Sequence, residues 1–459
     1  MPDDAMVAHA LGQLSARQAT YKHLADYLAG RQNLAFSSDS FRAAFGSYLR
    51  AFSYNRCPAV VDAVADRLQI RNWETEGDQE DPVEAKAQEI WRRNRMMRRQ
   101  GELHQEALAI GDAYLVVWPD PDTGEPVMAP NKAHCMTVVY DDDNPGRIVL
   151  ALKTWRIDWG PDAGRWRLTI YARDVITRWI SLGKSDEIIK TLNRFTPYED
   201  ELGPPEAANP YGRVPVFHIG NNADTGAFGR SELADVLPLQ DGLNKSVADM
   251  LVTGEFHSFP QRWAVGVETT INEETGVEEQ PFQPGRDRLW AVANELARFG
   301  QFDPSDIQQF IAAQDSWDVK IARVSRTPVY WLASTGTPPS GESRKTEEGP
   351  FVAKVVDRQV SYGSVEGDAM SFALEIAGFT PEIASGITPV WSPAESRSEQ
   401  EFWTIAQLKA SVGVPASQIF AEAGYKPKEI ESFMAEINAK AVSAADNLGL
   451  AFGRGQTGG

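Results

Sequence analysis

Cysteine is nearly missing from this chain. Two residues, Cys57 and Cys135, occur in 459, too far apart in sequence for a metal knuckle and too few for a disulfide framework, so a reducing compartment fits. No run approaches the roughly 18 consecutive apolar residues of a membrane span, and the opening MPDDAMVAHA lacks the basic and apolar regions of a signal peptide. No membrane contact is expected, and the product is expected to stay in the cytoplasm or in a particle assembled there. Catalytic signatures are missing as well. The six histidines, His9, His23, His104, His134, His218 and His257, are scattered, no HExxH or CxxC pair occurs, and no serine stands in a nucleophile elbow. No catalytic residue, cofactor or metal site is expected, although a fold can assemble distant residues into one. A hydrolase or transferase whose site the sequence does not display is the alternative. Positive charge is also in deficit: 45 Lys and Arg against 64 Asp and Glu leave a formal net charge of -19, which argues against tight nucleic-acid binding by the chain as a whole.

What is present suffices for two or more cores, with 42% hydrophobic content. Residues 3–30 carry Leu11, Leu14, Tyr21, Leu24 and Leu28 at helical spacing, ended by Gly30. In Phe52–Trp73, Pro58 stands near a helix start, and Val60, Val61, Val64 and Leu68 share one face. Pro82–Gln100 reads as one charged helix. Its run RRNRMMRR at Arg92–Arg99 is expected to be a solvated face pairing with Glu84, Glu89 and Glu102, with a nucleic-acid or motor contact as the alternative. After Gly111 the period changes to two. Ala113–Trp118, Met136–Tyr140, Ile148–Trp155, Arg165–Tyr171 and Val175–Ile180 are strands between turn sequences, and an antiparallel sheet is expected. Asp141, Asp142 and Asp143 fall in one of those turns rather than converging on a hard cation. Gly183, Lys184 and Ser185 echo the end of a phosphate-binding loop, but Arg178 occupies the place of its opening glycine, so no ATPase site follows.

GRVPVFHIGNN at Gly212–Asn222 reads as a strand, and Ser231 opens a long helix through Leu233, Val236, Leu239, Leu243, Val247 and Met250. Pro238 either kinks that helix or marks its true start. Phe259–Phe302 holds one hairpin pattern: a strand at Arg262–Glu268, an acidic tip of Glu273, Glu274, Glu278 and Glu279, and a return near Arg288–Val292. Too small for a domain, it reads as an insertion between two helices that come back side by side. The second starts at Asp303 and Pro304 with Asp306 in its first turn, and carries Ile307, Phe310, Ile311, Trp317, Ile321 and Val324. Ser334–Gly341 forces a loop. Beyond Pro350, a stripe of Phe351, Val352, Val355, Val356, Val360, Met370, Leu374 and Ala377 predicts a long helix ending at Gly378. A Pro-rich passage, 380–393, leads to two or three helices, Ser398–Ser411, Pro415–Ala423 and Pro427–Asn447. There, Lys426 and Lys428 stand among Glu422, Glu429, Glu431 and Glu436, the wrong sign for a DNA-reading helix-turn-helix.

The order helix, inserted hairpin, returning helix, then proline, aromatic and Leu332, a Gly/Pro/Ser-rich loop and GESRKTEEGPFVAKVVDRQ, resembles the portal proteins of tailed phages. Asn55 ahead of the valine-rich Val60–Ile70 segment, and the valine-proline strand before Gly229-Arg230-Ser231, are similar to the same family. The resemblance implies an α+β, mostly helical portal fold. Its parts would be a wing with a β-sheet (1–230), a first stem helix (231–258), a small α/β clip (259–303) and a second stem helix (304–326). A wing continuation (327–397) would carry a tunnel loop at 334–348 and a long helix at 350–377, before a helical crown (398–450) and a disordered tail (451–459). The resemblance further implies a homo-oligomeric ring of about twelve subunits at one capsid vertex, closed through heterologous interfaces. That ring would be the channel for packaging, retaining and ejecting double-stranded DNA. Implied partners are a terminase motor, the major capsid and scaffold proteins and a head-tail connector; the implied location is the virion, after assembly in the host cytoplasm. Ser340, Ser343, Arg344, Lys345 and Thr346 would face DNA, and Glu273, Glu274, Glu278 and Glu279 would meet motor or connector. An acidic bore lets a duplex carrying about one charge per 1.7 Å slide, because few phosphate contacts form. The same acidity also suits any abundant protein that must not aggregate.

Overall fold

The computed structural model describes residues 3–32, 35–36, 39, 43, 53–75, 82–199, 203–258, 262–266, 270–271, 278–279, 296–301, 307–333, 341–395, 399–425 and 429–440. The chain divides into two compact units, 1–394 and 395–459.

Asp3 caps α1 (Asp4–Leu28) by accepting from the Ala5 amide at 3.0 Å, and Gly30, at φ 72°, ends it. Leu11, Leu14, Tyr21 and Leu24 are buried along one face. Helix α2 (Cys57–Ala65) opens at Pro58, as expected, and buries Val60, Val61 and Val64 ahead of β1 (Ile70–Glu74). The charged run from Pro82 is two helices rather than one, α3 (Pro82–Arg93) and α4 (Met96–Ile110), parted at Arg95 with φ 54°. Asn94 makes the break. Its amide donates to Ile90 O at 3.0 Å and Pro126 O at 2.9 Å, and its Oδ1 accepts from Met128 N at 2.9 Å, so the helix end is tied to a strand 30-odd residues on.

The strands form two main sheets where one was expected. β2 (Asp112–Pro119) is central in a small antiparallel sheet between β3 (Pro126–Lys132) and β10 (Val216–Gly220). β3 escapes sequence reading because Pro126 and Pro130 argue against a strand; as an edge strand it tolerates both. The second sheet runs β4 (Met136–Tyr140), β5 (Ile148–Arg156), β6 (Trp166–Ala172), β7 (Val175–Ser181) and β8 (Phe195–Pro197) in order, with β9 (Glu206–Ala208) also on β7. Asp141 lies in the β4–β5 turn, as expected, where its side chain pairs with Arg147.

Helix α5 (Leu237–Ser258) begins one residue before Pro238, so the proline marks the true start. The returning helix α6 (Gln308–Val324) lies against it; Asp303, Pro304 and Asp306 fall outside the described residues. Trp317 packs over Gly242, where a Cβ would stand 3.0 Å from the ring, and its indole N–H donates to Ser246 Oγ at 2.9 Å. Gln314 reaches Met250 sulfur at 3.3 Å, so numbers fall on one helix as they rise on the other and the pair is antiparallel. Of the expected apolar face only part is covered: Ile321 is buried, while Ile307, Ile311 and Val324 are exposed. Between the helices, β11 (Arg262–Val265) pairs with β14 (Arg298–Gln301), and β12 (Thr270–Ile271) with β13 (Glu278–Glu279). The return strand thus sits about ten residues later than the expected Arg288–Val292, which lies outside the described residues.

After α7 (Val329–Leu332), α8 (Gly341–Ile376) runs for 36 residues with Pro350 inside it. It starts nine residues before the expected 350, so Ser343, Arg344, Lys345 and Thr346 are helical instead of lying in the loop. Pro350 lies on an exposed side of the helix, where the carbonyl that its missing N–H cannot serve is open to water. α9 (Pro381–Ala384) and β15 (Thr388–Trp391) follow; β15, a strand within the Pro-rich passage, pairs with β1. In the second unit, α10 (Glu399–Ser411), α11 (Ala416–Glu422) and helical residues 429–440 gather Phe420, Tyr425 and Phe433 within 5.2–6.0 Å.

Trp317→Ala should lower unfolding stability by about 3 kcal/mol in urea denaturation, through lost packing on Gly242. A change below about 0.5 kcal/mol, the size of an ordinary surface substitution, would mean the two long helices are not held together there.

Candidate functional site

The segment leading into α5 is joined to α4 and the strand β10 where two glycines cross. Helix α4 ends on Gly111 at φ 105°; a Cβ there would stand 2.8 Å from the Gly229 carbonyl, and a Cβ on Gly229 would collide with the Gly111 carbonyl. Backbone bonds fix the crossing: Asn221 N to Gly111 O at 2.7 Å, Arg230 N to Asn221 O at 2.7 Å and Glu232 N to Leu108 O at 2.9 Å. Ser231 Oγ donates to Ala109 O at 2.5 Å and accepts from Leu233 N at 3.0 Å. The Gly-x-Ser motif, read as a helix start, is therefore a chain crossing that precedes the helix at Leu237.

Glu232, next in line, is the centre of the site. Its Oε1 accepts from Arg358 at 2.8 Å and from the Asn221 amide at 3.2 Å, and its Oε2 from Lys354 at 3.4 Å. Lys354 also donates to Ser325 O at 2.6 Å, Tyr362 OH donates to Asn221 Oδ1 at 2.9 Å, and Glu366 Oε1 stands 3.0 Å from His104 Nε2. Lys354, Arg358, Tyr362 and Glu366 recur every four residues, so they form one line on α8, and none is more than 6% exposed. Burial pushes the Glu232 carboxyl up, but the charges of Lys354 and Arg358 and the Arg358 hydrogen bond outweigh it and hold it below the ordinary range. Lys354 goes the other way from its own partner: burial pulls its ammonium down, and Glu232, opposed by Arg358 and Arg326, does not restore it. Arg358 has a second, exposed carboxylate partner in Asp357, whereas among the described residues Lys354 shares only Glu232. The firm element is the Glu232–Arg358 pair, with Lys354 held chiefly through the Ser325 carbonyl.

Two further buried groups brace the same region. The Leu68 carbonyl only accepts, so His104 Nδ1, 2.9 Å away, carries a proton, and the bond to Glu366 holds one more between Nε2 and Oε1. The pair is neutral overall whichever partner keeps that proton. Asp112 accepts from His218 Nε2 at 2.9 Å, Tyr21 OH at 2.6 Å and Gly229 N at 2.6 Å. Burial raises its carboxyl; His218, then Tyr21 and Gly229, outweigh it and hold the group below its usual value. His218 Nδ1 takes the Tyr140 hydroxyl at 2.6 Å, but burial pushes that phenol up, the wrong direction for a nucleophile. This His–Asp chain ties α1, both sheets and the glycine crossing together.

The residues singled out from sequence are dispersed by comparison. Ser340 lies outside the described residues; Ser343, Arg344, Lys345 and Thr346 are exposed on the first turns of α8. Arg344 lies over the Tyr330 ring at 5.4 Å, the Tyr330 hydroxyl bonds to Glu348, and Val329 N donates to Glu347 at 3.3 Å, so α7 is clipped to the start of α8. Glu273 and Glu274 lie outside the described residues, and Glu278 and Glu279 form β13. In the cationic run, Arg93 pairs with Glu125 at 3.2 Å and Arg99 donates to Met128 O at 2.9 Å; Glu84 instead accepts from Thr75, and Glu89 from Lys86. Sequence reasoning missed Glu232, Lys354, Arg358, Tyr362 and Glu366. The four-residue recurrence on α8 was the available signal, masked by Val356 and Val360, which the expected stripe buried and which are 45% and 70% exposed. Among the described residues no group of three or more His, Cys, Asp or Glu is placed to hold a metal ion, and no helix is long and apolar enough to cross a membrane.

Gly229→Ala should cost at least about 3 kcal/mol, because the obstacle is backbone that cannot rotate away; thermal denaturation reads it. Glu232→Gln removes the carboxylate shared by two buried cations, leaving Arg358 with Asp357 and Lys354 with the Ser325 carbonyl, and should cost about 3 kcal/mol. The pH sign follows from the carboxyl's depressed folded pKa. Its stabilisation is full above the ordinary glutamate pKa of about 4.3 and is lost as pH falls through the lower folded value. Denaturation across the acid range should therefore show a shallower acid loss in Glu232→Gln than in the wild type, with Asp112 supplying the remainder.

Residues 61–423 match the family described as phage portal protein, SPP1 Gp6-like. The portal protein of Mycobacterium phage L5 is 24% identical over 232 residues, 48% of this chain and 47% of that relative. The chain thus spans about half the length of the curated relative it matches. Neither comparison points to a hydrolase or transferase. With antiparallel paired helices, a small β insertion between them and a long helix behind them, and with the family match running through all of these, this chain belongs to the SPP1 Gp6-like phage portal proteins.

Proposed function

We propose that about twelve copies of this chain close into a ring at one capsid vertex, a channel through which double-stranded DNA is packaged, retained and ejected. The observation that carries the reading is the antiparallel pair α5 and α6, locked by Trp317 on Gly242, with a β module inserted at its far end. Two rods bearing an extra module and leaving Ile307, Ile311 and Val324 exposed have little use in a monomer. In a ring they line a bore, and the inserted module projects from it.

In this reading the channel works by holding shape without holding DNA. The net charge of -19 keeps phosphate contacts few, so counterion release does not arrest the duplex. Ser340, Ser343, Arg344, Lys345 and Thr346 follow the second stem helix and meet the passing backbone weakly. Arg344, stacked on Tyr330, presents its charge from a fixed seat. Glu273, Glu274, Glu278 and Glu279 on the insertion dock the terminase motor and later the head-tail connector, while major capsid and scaffold proteins hold the ring in the shell. Energy for translocation is supplied by the motor. The ring is assembled in the host cytoplasm and resides in the virion.

Two measurements test this. Negative-stain imaging of the purified chain should show rings with a central hole; a compact monomer at all concentrations would sink the reading. Replacing residues 334–340 by a Gly/Ser linker of equal length should leave rings intact and reduce packaged or retained DNA at least tenfold, and normal packaging would remove this segment from the mechanism.

A further inference from the structure

The β5–β6 hairpin ends in an indole with no cover. Trp159 is 84% exposed, yet the loop that presents it is firmly built. Ile157 N donates to Arg165 O at 2.9 Å, Gly164 N to Ile157 O at 2.8 Å, and the Arg165 guanidinium reaches Asp162 and the Ser181 carbonyl, both at 2.7 Å. A rigid finger carrying a large apolar side chain into water is the form that an interface anchor takes, since little freedom is left to lose on docking.

The same chain carries a groove of matching character. Between the outer face of α8 and the strand β15 lies a cavity of about 610 Å³ bounded by Val356, Val360, Gly363, Gly367, Ile387 and Trp391. Gly363 and Gly367 explain its shape: a Cβ on either would stand 3.0–3.1 Å from Trp391, Pro389 or the Ile387 carbonyl, so the missing side chains let the strand close over the helix and leave a smooth apolar floor. Asp368, Ser364 and Ser371 on its wall supply acceptors for an indole N–H.

Finger and groove cannot meet within one subunit. Strand β5 starts at Ile148, which shares a cleft with Ser364 and Asp368 of α8, and these two residues also wall the apolar groove. The finger leaves the opposite end of β5 after nine residues, which at about 3.3 Å each puts Trp159 roughly 30 Å away. Two unlike surfaces far apart on one chain make a head-to-tail contact, the kind that closes rings. Charge sets the sense of docking. Asp158 and Lys184 both stand at the finger, Lys184 with its stem against Gly164, and the groove's ionisable wall residue is Asp368, so the finger fits with its Lys184 side toward that carboxylate.

We propose that Trp159 of one copy seats in the groove between α8 and β15 of the next copy, and that this contact repeats around the assembly. It rests on the ring reading above. The test is a double variant, Trp159→Cys with Val360→Cys, under mild oxidation. Within one subunit the two positions are far beyond the roughly 7 Å between Cα atoms that a disulfide allows, so a bond forms only between copies. A covalent ladder of multimers on a non-reducing gel is expected for the double variant and not for either single one. Trp159→Ala should weaken assembly at least tenfold by mass photometry while its thermal unfolding stays unchanged. Wild-type rings without a ladder, with Trp159→Ala assembling normally, overturn this contact and leave the ring standing. A wild-type chain that never assembles overturns the ring and the contact together.

Discussion

The arrangement depends on a single buried carboxylate. Glu232 sits between the glycine crossing and α8, and by accepting from Arg358 and Lys354 it fixes the register between that crossing and α8. A charge so placed is costly to bury and worth keeping only if its geometry is complete. Completion comes from the crossing itself: Asn221 donates to Glu232 and accepts from Tyr362, while Gly111 and Gly229 bring those backbones close enough for both bonds. Slide α8 by one turn and Tyr362 leaves Asn221 and Glu366 leaves His104, even though one cation could still reach Glu232. Apolar contacts, which are non-directional, would tolerate such a shift more easily.

That polar line explains how a long helix can be both buried and exposed. One side of α8 carries Lys354, Arg358, Tyr362 and Glu366 into the core, and the other leaves Val356 and Val360 in solvent. The usual pattern of a surface helix is mixed over this stretch: Lys354 and Arg358 go inward beside Phe351 and Val355, while Val356 and Val360 face outward. A buried polar face specifies one neighbour, while an exposed apolar face invites another. In the proposed ring, these are the two demands of keeping its own fold and joining the next copy.

Much of the element order could be read in the sequence, because it rests on local chemistry. Pro58 and Pro238 open helices, Gly30 and Gly378 close them, and the period-two runs from Met136 to Ile180 are strands. The site was less legible because its residues speak only in pairs. Glu232 in isolation is a surface acid; Arg358 lies 126 residues away and nothing local marks the two as partners. Apolar periodicity placed Phe351, Val355, Met370 and Leu374 of α8 correctly in the core but also buried Val356 and Val360, because the polar residues satisfied inside read like ones that face water. The edge strand β3 was hidden by its prolines, and the break at Arg95 by a continuous charged pattern whose interruption is caused by Asn94 bonding to a later strand.

The bond between His104 and Glu366 spans 262 residues and has a cost in time. A ribosome adding about 5–20 residues per second needs roughly 13–50 s to travel from one partner to the other. Throughout that interval the early helices exist without the carboxyl that satisfies their histidine and without the helix that covers their core. Newly made chains therefore pass through a long adolescence with sticky surfaces on view, in a cell where many identical siblings are being translated at once. Premature pairing among these half-finished chains is the hazard, and a polar, directional lock that engages only when the last partner arrives is a physical means of postponing commitment.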